Sequence, residues 1–168
     1  MAGGQGMNRP IGFSWTGVAF LLCLLAPNLL WTRYRPRGYD PSGESRLLLM
    51  LERVGQVWVT CAALLFQDPG FQPWTSWSWW LAGAAALMIL YELWWLRYFR
   101  SRRTMADFTA SFLAVPVAGA ALPVLAFFLL GIYRRSIWML AGVVILGAGH
   151  IGIHLCRRAE VRKDQTYE

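Results

Sequence analysis

The sequence is poor in charge and poor in cysteine. Only 15% of its 168 residues are charged and 57% are hydrophobic, whereas a soluble domain has about 25% charged and about 45–50% apolar residues. This balance excludes a soluble globular domain and a disordered chain. The three cysteines, Cys23, Cys61 and Cys156, lie far apart and have neither metal-site nor redox spacing, which excludes a disulfide scaffold. A small integral membrane protein remains.

Long runs without charge predict helices that cross a membrane. Because the hydrocarbon core is about 30 Å thick, a spanning helix needs about 20 mostly apolar residues. Five runs have a suitable length, at 11–31, 47–66, 76–96, 108–133 and 136–156. The fourth run carries Pro116 and Pro123, which favour a tilted or kinked helix. We therefore predict an all-α integral membrane protein, a bundle of five transmembrane helices that forms a single domain over 1–168.

The second run is the least regular of the five. Its mostly apolar part, 54–66, is too short to cross the membrane, and extending it back to Leu47 brings Glu52 and Arg53 into the hydrocarbon. We favour the longer helix, which carries this charged pair inside its first turns.

Basic residues predict the orientation of the bundle. Four Lys or Arg residues fall in each of three segments on one side, at 33–46, 97–103 and 157–163. The other side carries three, Arg9, Arg134 and Arg135. Since cytoplasmic segments carry the excess of Lys and Arg, we expect the N-terminus outside and the C-terminus in the cytoplasm, with 157–168 as a basic tail. The net charge of +7 then reflects topology, and we expect no nucleic-acid partner.

Aromatic residues flank the third run at both of its edges. They are Trp74, Trp77, Trp79 and Trp80 at one edge, and Trp94, Trp95 and Tyr98 at the other. Trp and Tyr are enriched where the membrane meets water, so most of these residues are predicted to form interfacial belts.

Polar residues from four of the five runs fall at a similar depth, in the cytoplasmic half of the predicted bundle. They are Asn28, Glu52, Gln56, Glu92, His150 and His154. An ionisable side chain in hydrocarbon costs several kcal/mol, so it usually faces the bundle interior and marks a functional site. The pattern predicts a cavity that opens towards the cytoplasmic side.

Helical spacing places several of these residues together. Glu52 and Gln56 are one turn apart and share a helix face, as do His150 and His154. Tyr91 and Trp95 flank Glu92 on the third run. Structural roles stay open as well, because Glu52 could pair with the adjacent Arg53, and Asn28 could bind a carbonyl group that Pro27 leaves free.

Acid catalysis is the chemistry that suits these residue types best. Neither glutamate has a histidine three residues later, which is the usual metal-binding pattern of helical bundles, so we expect no metal and no cofactor. A carboxyl group held out of water stays protonated more readily at neutral pH and becomes a proton donor. Aromatic faces stabilise cations, and a dry cavity keeps a reactive cation from being quenched.

The layout of these motifs resembles the small membrane-bound terpene cyclases of bacterial prenylated-indole and diketopiperazine pathways. The matching motifs are Pro27-Asn28-Leu29-Leu30, Glu52-x-x-Gly55-Gln56, Tyr91-Glu92 and Gly149-His150. The resemblance implies a membrane-embedded cyclase that protonates the prenyl chain of a lipophilic acceptor in the bacterial cytoplasmic membrane. It implies Glu52, Glu92 and His150 as catalytic residues. Asn28, Gln56, Tyr91, Trp95 and His154 would then contact the substrate.

Two other classes of protein remain open at this point. A small proton- or cation-coupled transporter would use the same polar cluster to bind its ion, and would need a homodimer to enclose a path. A non-catalytic membrane accessory protein would use the cluster only to join its helices.

Overall fold

A computed structural model describes residues 11–68 and 73–167 of the protein, with side chains up to Lys163. In these ranges the regular secondary structure is helical, and the all-α prediction is confirmed. The helices are α1 (Trp15–Arg33), α2 (Arg46–Leu65), α3 (Trp79–Arg100), α4 (Met105–Thr109), α5 (Ala118–Tyr133) and α6 (Ile137–Tyr167). A single 3₁₀ turn, Ser76–Ser78, leads into α3.

Four of the described helices are long and apolar enough to cross a membrane. They are α1, α2, α3 together with its preceding turn, and α6 as far as Lys163. Helix α5 is apolar but has only 16 residues, which corresponds to about 24 Å at 1.5 Å per residue. The chain therefore has the helices of a membrane protein, with four candidate spans and one shorter apolar helix.

The predicted fourth helix, 108–133, is not continuous. Helix α4 ends at Thr109 and α5 begins only at Ala118. Between them, the backbone N–H groups of Phe112 and Val115 each donate to the other residue's carbonyl and close a tight turn. Pro116 disfavours helix in the residue before it and has no N–H to donate. The proline thus interrupts the helix. The sequence had indicated a continuous helix that is tilted or kinked.

The fifth predicted run continues beyond its expected end. We predicted that the helix would stop at 156 and that 157–168 would be a basic tail, but α6 runs on to Tyr167. Arg157 is only 7% exposed because it packs against the connection between α1 and α2. This residue belongs to the bundle, not to a free tail.

Glycine residues allow α2 and α6 to pack with their backbones in contact. A side-chain methyl at Gly149 of α6 would overlap the backbone of Leu48 and Glu52 on α2, and one at Gly55 of α2 would overlap the backbone of Leu146. Such close approach is the usual role of small residues between membrane helices. The contact fixes the position of Glu52 against α6.

Each end of the bundle holds a buried arginine. At the Asp68 end, Arg134 follows α5 and lies near Asp68, which follows α2. At the Arg157 end, Arg157 of α6 pairs with Glu44, which precedes α2. Helix α5 passes from Gly119, packed against Trp94, to Arg134, whose Nη1 donates to the Ala63 carbonyl at 2.9 Å.

Candidate functional site

Two cavities adjoin in the half of the bundle nearer the Arg157 end. The aromatic cavity has a volume of about 190 Å³. Its aromatic wall consists of Trp31, Tyr39, Trp94, Trp95 and Phe108. The apolar cavity has a volume of about 330 Å³ and is lined mainly by aliphatic side chains of α1, α2, α5 and α6. Asn28, Gln56 and His150 line both cavities, so these residues mark where the two cavities meet.

His150, at this junction, forms a close pair with Glu52, which lines the aromatic cavity. The Oε1 atom of Glu52 lies 2.5 Å from the Nδ1 atom of His150, and the two side chains are 18% and 24% exposed. The contact follows from the close packing of α2 and α6 at Gly149, beside His150. Either the ring N–H donates to a carboxylate, or a neutral carboxyl O–H donates to the ring nitrogen. In both forms the pair holds a proton beside the cavities.

His154 extends the pair along α6. Its ring centroid is 4.8 Å from that of His150 and 5.2 Å from that of Phe108. The residue is 8% exposed and lines the aromatic cavity. Helical spacing therefore does place both histidines on the cavity side of α6.

Asn28 makes a hydrogen bond within its own helix and also lines both cavities. Its Nδ2 donates to the Leu24 carbonyl at 2.7 Å and to the Tyr91 hydroxyl at 2.8 Å. The first bond goes to the carbonyl one turn back, which is not the carbonyl that Pro27 leaves free, because that one belongs to Cys23, four residues before the proline. The second joins α1 to α3 at the wall of the apolar cavity, which Tyr91 also lines.

The structure separates Glu92 from the other predicted site residues. Glu92 is not among the described residues that line the two cavities. Its neighbour Tyr91 is 1% exposed and faces the core, and a step of one residue turns the side chain by about 100° around the helix. In the described part of the chain, the buried Oε1 of Glu92 has no hydrogen-bond partner.

Three aromatic residues predicted for an interfacial belt are buried instead. Trp94, Trp95 and Tyr98 are 0%, 4% and 0% exposed. The ring of Trp94 stacks on Tyr98, with centroids 6.0 Å apart, and fills the space beside Gly119. Hydropathy alone could not show that these rings point inwards.

Three residues that the sequence did not single out, Tyr39, Glu44 and Arg157, line the aromatic cavity at the Arg157 end. Arg157 Nη2 donates to the Tyr39 hydroxyl at 2.6 Å, and the guanidinium lies 4.3 Å from the centre of the Tyr39 ring. The same guanidinium pairs with Glu44. Arg157 follows His154 by three residues and so shares its helix face, a signal that could have identified it. Tyr39 and Glu44 lie in a polar connection that carries no such signal.

The Asp68 end has a denser polar network. The Asp68 carboxylate accepts hydrogen bonds from the Ser14 hydroxyl at 2.7 Å, from the Thr16 N–H at 3.0 Å and from the Thr16 hydroxyl. Burial raises the pKa of Asp68, but the bonds from Thr16 and Ser14 and the charge of Arg134 outweigh burial, so the pKa lies below its usual value. The carboxylate is thus held ionised by its surroundings.

Within the described ranges, no group of three or more His, Cys, Asp or Glu residues is placed to hold a metal ion. Comparison with protein-family models, with curated proteins and with solved structures gives no match for this chain. Inferences about function therefore depend on the geometry of the two cavities.

Proposed function

We propose that the protein is a membrane-embedded terpene cyclase that protonates the prenyl chain of a lipophilic substrate. The observation that carries this proposal is the Glu52–His150 pair at the junction of an aromatic cavity and an apolar cavity. An acid beside an aromatic wall supplies the proton donor and the cation-stabilising faces that cation-forming acid catalysis needs.

The reaction assigned to Glu52 is a proton transfer in each direction. The carboxyl group donates its proton to a terminal alkene, whose π bond is replaced by a C–H bond, or to the oxygen of a terminal epoxide, whose C–O bond breaks to leave a hydroxyl group. An internal double bond attacks the electron-poor carbon that results, which forms the ring bond and moves the positive charge into the ring. A C–H proton of the cyclised cation then returns to the carboxylate, directly or through His150. With an alkene or an epoxide, the product is an isomer of the substrate, and no electrons are gained or lost.

The remaining residues have binding roles in this proposal. Trp94, Trp95 and Phe108 face the cation with their rings, and His154 borders the same cavity. The apolar cavity holds the rest of the chain, and its volume of about 330 Å³ lies within the range of about 300–1,000 Å³ that small-molecule sites occupy. Asn28 and Gln56 contact the substrate where the cavities meet, and Tyr91 contacts it in the apolar cavity.

We also propose five membrane crossings, with α5 as the fourth, an outer N-terminus and a cytoplasmic C-terminus in a bacterial cytoplasmic membrane. Helix α5 supports this arrangement because its two ends contact opposite ends of the bundle. The basic segments 33–46, 97–103 and 157–163 all belong to the Arg157 end, which supports placing that end in the cytoplasm.

The test is product formation in cells that make farnesylated indole acceptors, with and without the protein, followed by chromatography with mass detection. A cyclase produces a new peak of unchanged mass, or of a mass one water higher if water captures the cation. With isolated membranes and an added acceptor that ends in an alkene, the new product gains one deuteron on carbon in deuterated water, because the acid donates an exchangeable proton. An unchanged profile over a panel of prenylated acceptors would refute the proposal.

A proton-coupled transporter is the second candidate. His154, His150 and Glu52 form a series of titratable groups between the Arg157 end and the middle of the bundle, and such series carry protons in transporters. The buried Arg134 lies near the opposite end of the bundle. Because its positive charge opposes the passage of a proton through that end, this position favours the cyclase over the transporter. A proton flux in proteoliposomes that is lost in Glu52→Gln, without any cyclised product, would favour the transporter.

A further inference from the structure

We infer that the two cavities form one compartment that is closed towards water and loaded sideways from the bilayer, through a gap between α1 and α2. This inference rests on the proposed function only for the chemical identity of the bound prenyl chain. The gap itself rests on which residues line the apolar cavity and which of them are exposed.

The gap lies where α1 and α2 both contribute exposed residues to the apolar cavity. Leu25 of α1 lines the cavity and is 50% exposed, and Thr60 of α2 lines the cavity and is also exposed. Nearer the Asp68 end the same two helices touch, because a methyl group at Gly17 would overlap the Ala63 carbonyl. The gap therefore begins beyond this contact and faces the lipid.

The rim of the gap is polar. Asn28, Gln56 and Thr60 are exposed at a depth where the surrounding solvent is hydrocarbon, and polar groups without partners are costly there. A plain acyl chain would leave the Gln56 amide and the Thr60 hydroxyl without a partner. The geometry therefore suits a lipid that has a hydrogen-bonding head group next to its apolar chain, with the head held at the rim and the chain inside.

The aqueous side is closed by residues already described. Arg157 and Glu44 are paired and their side chains are only 9% and 11% exposed. The Tyr39 ring fills the space between this pair and Trp31, whose ring centroid is 5.1 Å away. A ligand that came from water would have to displace this group of side chains, whereas a ligand that came from the membrane would not.

The experiment uses the full chain in lipid nanodiscs and a farnesyl chain that carries a photoreactive benzophenone. We expect ultraviolet labelling of peptides from α1 and α2 that excess farnesol suppresses. Leu25→Trp, which fills the gap, should reduce labelling about tenfold, equivalent to about 1.4 kcal/mol of binding, and Thr60→Trp should do the same from the facing helix. Leu30→Trp is the matched control, because Leu30 is 53% exposed on α1 and lines neither cavity.

Closure towards water is tested with a membrane-impermeant maleimide, since nanodiscs expose both faces of the protein. Ile153 lines the aromatic cavity, and Ile153→Cys in a background that lacks Cys23, Cys61 and Cys156 should react at least about tenfold more slowly than Ser42→Cys in the same background, because Ser42 is exposed in the connection before α2. Fast reaction at position 153, or equal labelling of Leu25→Trp and Leu30→Trp, would overturn the inference. If labelling depends on the gap but no cyclised product forms, the gap is supported and the cyclase is refuted. If cyclised product forms and Leu25→Trp does not reduce it, the cyclase is supported and the gap is refuted.

Discussion

The two ends of the bundle hold similar charged pairs in different surroundings. Arg134 and Asp68 lie among backbone carbonyls and hydroxyl groups that hydrogen-bond to them. Arg157 and Glu44 lie beside aromatic rings at the edge of a cavity. The first pair fastens α1, α2 and α5 together, and the second covers a space that a ligand can occupy. The difference lies in what surrounds each pair, which is hydrogen-bonding groups at one end and aromatic rings beside a cavity at the other.

The largest expected effect on stability is at the Asp68 end. Arg134→Met removes a fully buried guanidinium and leaves Asp68 and the Ala63 carbonyl without this partner, which should lower the free energy of unfolding by about 3–5 kcal/mol. The measurement is denaturant unfolding in detergent, followed by tryptophan fluorescence. Arg135→Met is the control, since Arg135 stacks on Trp77 at a partly exposed position, and equal losses in both variants would contradict the structural role of Arg134.

A smaller loss of stability is expected at the Arg157 end. Arg157→Met removes the hydrogen bond to Tyr39 and the pairing with Glu44, and should cost about 1.5–3 kcal/mol. The same change should make the thiol of Ile153→Cys reactive towards the impermeant maleimide, because the cover of the aromatic cavity is lost. If Arg157→Met destabilised the protein as much as Arg134→Met and left the thiol protected, the two ends would not differ in role.

The smallest expected effect is a dependence of stability on acid. The pKa of Asp68 is lower in the folded protein than in the unfolded chain, so its contribution to stability is present above the ordinary aspartate pKa and is lost as the pH falls through the folded value. Melting temperatures between pH 7 and pH 3 should therefore fall less steeply in Asp68→Asn than in the unmodified protein. Glu160→Gln is the comparison, because Glu160 is exposed on α6, and it should leave the decline as it is in the unmodified protein. A decline that is identical in Asp68→Asn and the unmodified protein would contradict this assignment.

The level of a residue along the bundle could be predicted from the sequence, but its direction around a helix could not. Counting residues from the span ends placed Asn28, Glu52, Gln56 and His150 at one level, and the structure brings these four side chains to the two cavities. The same counting placed Glu92 at that level, yet Glu92 faces away from the cavities. The direction of a side chain depends on which helices pack against which face, and this packing could not be derived from the single sequence.

The other differences have local causes. A single proline interrupts the predicted fourth helix, and hydropathy averaged over 108–133 hides this break. Arg157 was assigned to a tail because it follows the last apolar residue, although α6 continues and the connection between α1 and α2 folds over it. Glu44 lies in that connection, where only the folded chain brings it to Arg157.

The most direct test of the proposed site compares Glu52→Gln with Glu92→Gln in the same product assay. Loss of a general acid typically costs about 10²–10⁴-fold in rate. We predict that Glu52→Gln loses at least about tenfold more product formation than Glu92→Gln, while both variants keep their unfolding free energy within about 1 kcal/mol of the unmodified protein. Loss of product in Glu92→Gln with normal turnover in Glu52→Gln would contradict the placement of the acid at the junction of the two cavities.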